Sequence, residues 1–78
     1  MDFIRLLKYG SMEDIREILK NLKFKLIESI NGYNTYYARD GYREYELMEF
    51  PWDNNNYSLS YNNLVYREIR KDYINIVK

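Results

Sequence analysis

The sequence predicts a two-layer α+β fold, with N-terminal helices and a C-terminal helix packed on one face of a four-stranded antiparallel β-meander. Three observations lead there. Apolar residues recur at helical spacing as far as Leu22. From Lys23 the period changes to two, interrupted by the turn signals Asn31-Gly32 and Asp40-Gly41. Beyond Asn63 the apolar positions return to a helical stripe.

Phe3, Ile4, Leu6 and Leu7 lie at one-turn spacing and predict a short first helix. Gly10 is expected just past its end in the left-handed conformation that glycine adopts without strain. Ser11 reads as the N-cap of a second helix, with Glu13 and Asp14 in the first turn where the helix dipole favours anions. Met12, Ile15, Ile18, Leu19 and Leu22 mark its apolar face, and Arg16, Glu17, Lys20 and Lys23 its polar one.

Asn31-Gly32 favours a two-residue turn with both residues at positive φ. That turn pairs Ile30 with Tyr33, Glu28 with Thr35 and Leu26 with Tyr37. It therefore assigns Phe24, Leu26, Ile30, Tyr33 and Tyr37 to the core face. At Asp40-Gly41, a two-residue loop would bury the carboxylates of Glu44 and Glu46, which is costly without partners. A three-residue loop instead sends Tyr45 and Leu47 inward, and leaves Tyr36, Tyr42, Glu44, Glu46 and Met48 on the open face. Pro51 ends the third strand because it has no N–H to donate, and Tyr57–Tyr61 alternates as a fourth strand. In the last segment Val65, Tyr66, Ile69, Tyr73, Ile76 and Val77 fall within a stripe about 120° wide, so a terminal helix is expected.

The 78 residues are read as one domain spanning 1–78. Twelve Lys and Arg balance twelve Asp and Glu, which argues against indiscriminate nucleic-acid binding. The middle is acidic, with Asp40, Glu44, Glu46, Glu49 and Asp53 against Arg43 alone. The chain has no cysteine and no histidine. That leaves no disulfide, no Ser-His-Asp triad, no Cys-His pair and none of the usual zinc ligands. No glycine-rich phosphate loop occurs. Glu44, Glu46 and Glu49 with Asp40 or Asp53 offer the best oxygen set for a divalent cation, but the preferred register divides them between two faces. The opening Met-Asp-Phe-Ile-Arg is unlike a signal peptide, and no stretch approaches the ~18 apolar residues of a membrane span. The expectation is a cytoplasmic, non-enzymatic protein without cofactor or metal. Its wealth of Asn, Ile, Lys and Tyr points to an AT-rich genome, bacterial, archaeal or viral.

Two functions are weighed. In the first, Tyr36, Tyr42, Glu44, Glu46 and Met48, with Trp52 and Asp53 at the edge, form a protein-binding surface on the open sheet face. A small inhibitor or regulator encoded by a phage or mobile element would act in this way, and the same face would serve a homodimer. Base-stacking platforms need a basic rim, whereas these tyrosines stand beside carboxylates. Trp52 itself is expected to fold back and close the end of the core. In the second, Arg67, Arg70, Lys71 and Lys78 on the terminal helix bind RNA or DNA. The order of helices and strands is similar in outline to double-stranded-RNA-binding folds and the small mRNA-cleaving toxins built on them. Those toxins rely on a hairpin histidine that this chain lacks.

Overall fold

The computed structural model describes residues 2–74, beginning with helix α1 (Phe3–Tyr9). The Asp2 carboxylate accepts a hydrogen bond from the Ile4 N–H at 3.1 Å and so satisfies one of the free donors at this helix start. Ser11 does the same for helix α2 (Met12–Leu19), its Oγ accepting from the Asp14 N–H at 3.2 Å. Ile15 and Leu19 are buried, and Met12, Ile18 and Leu22 pack beside them. Gly10, between the helices, is extended (φ −63°, ψ 163°) rather than left-handed. Its lack of a side chain answers a different need, since a Cβ there would run into the Leu6 carbonyl oxygen.

Five strands follow, each paired antiparallel with the next: β1 (Lys25–Ile30), β2 (Tyr33–Asp40), β3 (Arg43–Glu49), β4 (Asn56–Tyr61) and β5 (Val65–Arg70). The sheet thus has five strands where four are expected, and no C-terminal helix forms over Val65–Arg70. The chain continues into a single 3-10 turn, Lys71–Tyr73. Ile76 and Val77 of the expected stripe, and Lys78, lie outside the described residues. Asn62 and Asn63 explain the strand. Both take positive φ (46° and 62°), which reverses the chain after Tyr61, and Leu64 N–H donates back to the Tyr61 carbonyl at 2.8 Å. The residue that spoils an apolar strand face here is Arg67. It points inward, and its Nη1 donates to the Leu7 carbonyl in the last turn of α1 at 3.1 Å. An inward cation in β5 is therefore tolerable because it satisfies a carbonyl at a helix end.

The first hairpin turns as expected, with Asn31 and Gly32 at φ 53° and 86° and Ile30 opposite Tyr33. A β-bulge between Leu26 and Glu28 then shifts the register, so Leu26 meets Tyr36 instead of Tyr37. One extra residue exchanges the faces of β2. Tyr36 and Ala38 are buried under the helices, whereas Leu26, Ile30 and Tyr33 are exposed. The second hairpin closes on Gly41-Tyr42, with Asp40 opposite Arg43 and Gly41 at φ 61°. This register differs from both of those weighed. It still sends Tyr45 and Leu47 inward, opposite Ala38 and Tyr36, and keeps Glu44 and Glu46 on the open face.

The core thus lies between α1, α2 and one face of the sheet. Tyr36, Tyr45, Tyr57 and Tyr61 supply much of it, in edge and tilted contacts of 5.9 Å (Tyr36–Tyr57) and 5.2 Å (Tyr45–Tyr61). Leu7, Phe24, Leu47, Leu59 and Ile69 fill the space between them. The reversed face of β2 makes a direct prediction. Tyr36→Ala will cost about 3–5 kcal/mol in urea unfolding, as truncation of a buried aromatic does, and Tyr37→Ala on the opposite face will cost about 1 kcal/mol.

Candidate functional site

Beyond the end of β3 the sequence Phe50-Pro51-Trp52-Asp53 makes a turn in which the Asp53 N–H donates to the Phe50 carbonyl at 3.2 Å. Proline suits the second position of such a turn because its φ is already set. The turn is fastened on both sides. The Asp53 carboxylate accepts from the backbone N–H groups of Asn55 (2.9 Å) and Asn56 (3.0 Å), which leads the chain into β4. Those bonds, the Asn55 one foremost, hold the Asp53 carboxyl below its usual range. Lys71 Nζ donates to the Asp53 carbonyl at 3.0 Å, and the Lys71 N–H to the Asn55 carbonyl at 2.8 Å.

Trp52 stands on this turn with 70% of its surface exposed. It does not fold back over the core. Its ring stacks on Phe50 (5.1 Å, 18° between planes), and Tyr33 meets both rings edge-on at 5.6 and 5.9 Å. Gly32 makes this assembly possible twice over. Its φ of 86° suits glycine, and a Cβ in its place would lie 2.9 Å from the Pro51 Cβ. The β1–β2 turn and the Pro51 turn therefore abut, which brings Tyr33 against Trp52. Ile30, opposite Tyr33, continues the apolar surface on to β1. There Leu26, Ile27 and Ile30 are 51%, 56% and 54% exposed.

Beneath the aromatic ledge lies a polar cluster. Glu49 Oε2 and Lys71 Nζ form an ion pair at 2.6 Å, with both side chains largely shielded from water. Glu49 Oε1 accepts from Asn34 Nδ2 (2.9 Å) and from the Tyr36 hydroxyl (3.2 Å). Lys71 also lies 5.3 Å from the Tyr57 ring centroid. The Lys71 and Asn34 hydrogen bonds draw the Glu49 carboxyl down to about 2. Burial, then the Glu49 charge, pushes the Tyr36 hydroxyl up to about 12. Among the described residues no buried side-chain polar atom lacks a partner, and the cluster ties the segment after β5 to β3.

The residues singled out from sequence separate. Tyr36 lies in the core and offers no surface, because the bulge turned β2 over. Glu44, Glu46 and Met48 line the open face of β3. Tyr42 is exposed in the β2–β3 turn, at the far end of β3 from Trp52 and about 20 Å away by strand rise. Asp53 turns its carboxylate into its own loop. The basic set also disperses without its helix: Arg67 serves Leu7, Arg70 pairs with Asp72 at 2.7 Å, Lys71 pairs with Glu49, and Lys78 lies outside the described residues. Glu49 faces away from Glu44 and Glu46, and no three acidic side chains converge on a metal position among the described residues. No helix among them is long and apolar enough to cross a membrane. Tyr33, Phe50, Leu26 and Ile30 carry exposed surface that the sequence reading assigned inward or left unmarked, whereas Ile27 is exposed as its outward assignment requires. The signal for Phe50 was present in the Phe-Pro-Trp run set opposite Asn-Gly. No family model, curated protein or solved structure matches the chain.

The ion pair sets a pH dependence. Glu49 releases its proton more readily when folded than when unfolded, so the unfolded chain takes up the proton first as acid is added. Its stabilising effect is complete above the ordinary carboxyl range near 4.5 and is lost as pH falls toward about 2. Glu49→Gln will lower stability at pH 7 by about 1–2 kcal/mol, less than the full shift implies because solvent screens the pair. The variant will also flatten the acid limb of a stability-against-pH profile measured by urea unfolding.

Proposed function

We propose that the chain is a non-enzymatic protein-binding module that acts by occupying part of a partner's surface, with Trp52 as the central contact. One observation carries this reading. The lone tryptophan is held out into solvent on a turn fastened by Asp53 and Lys71, instead of being used for burial in a small core. An exposed, pre-ordered aromatic side chain loses little conformational freedom on binding, and tryptophan is enriched among residues that dominate interface energies. The open face beside it, with Met48, Glu44 and Glu46, supplies a mixed apolar and acidic surround.

In concrete form this is a small inhibitor or regulator working in the cytoplasm, of the kind that phages and mobile elements encode. A cysteine-free chain has no need of an oxidising compartment to fold. The purified chain, used as bait in lysate of its native host, will retain one stoichiometric protein partner. Trp52→Ala will weaken that complex by about thirtyfold or more, the loss typical of a central interface tryptophan. Circular dichroism and thermal unfolding of the variant will match the parent, since Trp52 contributes little to the core. A complex of undiminished affinity with Trp52→Ala would sink the proposal.

A further inference from the structure

We infer that the free edge of β1 pairs antiparallel with β1 of a second copy of this chain, extending the sheet across a two-fold axis. The inference stands on the edge strand alone and does not depend on a role for Trp52. β1 lies at one end of the strand order, so one side of its backbone has no partner among the described residues. All six of its residues are exposed, including Leu26, Ile27 and Ile30. An unpaired edge carrying apolar side chains is a template for another strand.

Charge identifies the occupant. β1 carries one cation, Lys25, and one anion, Glu28, and neither takes part in an ion pair among the described residues. Three residues apart in a regular strand, they would stand on opposite faces. The bulge brings them to the same side, since Lys25 is opposite Tyr37 and Glu28 opposite Thr35, both on the open face of β2. A two-fold axis normal to the sheet keeps open face beside open face, so residues directly opposite must share a face. Setting Lys25 against Glu28 of the second copy meets that condition, and symmetry supplies the reciprocal pair. Leu26 then stands opposite Ile27 of the second copy, and Ile27 opposite Leu26, on either side of the axis. Registers one residue away set an open-face residue against a helix-face residue. The register two residues away sets Lys25 against Ile30, which leaves both charges without a partner. A bulge ordinarily protects an edge from indiscriminate pairing. Here it also restricts pairing to the register in which the two charges answer each other.

Sedimentation velocity of the full chain over a range of concentrations tests this. The expected result is a monomer–dimer equilibrium. Lys25→Glu and Glu28→Lys will each raise the dimer dissociation constant by about tenfold or more, because each places like charges opposite one another twice. The double variant K25E/E28K will return to within about threefold of the parent, and Ile27→Asp will dissociate the dimer. All three positions are exposed in the monomer, and circular dichroism will confirm that each variant is folded. Trp52→Ala will leave the equilibrium unchanged. A monomer at every concentration up to about 1 mM would overturn the inference. So would a dimer indifferent to the single reversals, a double variant no better than either single, or a dimer lost with Trp52→Ala.

Discussion

Two short helices cover one face of a five-stranded sheet, so every strand must send alternate residues toward the same side. Pairing ties the parity of each strand to that of its neighbours, and an error in one would expose the apolar residues of the next. β3 and β4 meet this demand directly, with Tyr45 and Leu47 opposite Tyr61 and Leu59. β2 meets it through Tyr36 and Ala38, and the bulge at Ile27 lets β1 join it without forcing the hairpin turn out of place. The helix layer is small, α1 and α2 having 7 and 8 residues. Large rings from the sheet compensate, since each aromatic side chain buries far more surface than an alanine or valine would.

The two ends of the core are closed by different chemistry. Near the start of β3, Phe3 packs edge-on against Tyr61 at 5.3 Å and the Arg43 guanidinium lies 3.7 Å over the Phe3 ring. At the other end the Glu49–Lys71 pair, with Asn34 and the Tyr36 hydroxyl, holds strand, turn and chain end together. A charge pair of this kind has directional demands that apolar packing lacks. It lies directly under the turn that carries Trp52, so the polar end of the core also serves as the base of the exposed aromatic ledge.

What the sequence disclosed follows the range of the interaction involved. Capping at Ser11, the apolar stripe of α2 and the Asn31-Gly32 turn depend on near neighbours, and all three were legible. The faces of Tyr36 and Tyr37 were not, because one bulged residue in β1 decides them and its position has no clear local signature. β5 was obscured by Arg67, whose inward placement makes sense only once the Leu7 carbonyl is known to lie above it. Asn62-Asn63 was the overlooked sign of a turn, since asparagine tolerates positive φ better than most residues. On the surface, the outward residues of β3 were legible, whereas Trp52 was recognised as a candidate contact but expected to fold back over the core. The exposure of Leu26 and Ile30 was not: Leu26 stands opposite Tyr36 on the helix face but at the sheet edge, and the bulge leaves Ile30 opposite Tyr33 on the open face.

The placement of Trp52 also decides what light can report. The chain has ten tyrosines, four of them in the core, and its one tryptophan sits outside it. Indole emission is therefore an observer posted at the surface, already wet before the chain unfolds. Loss of the fold will register chiefly in the tyrosines and in the sheet's circular dichroism, while the tryptophan responds to whatever settles on the ledge beside Phe50 and Tyr33.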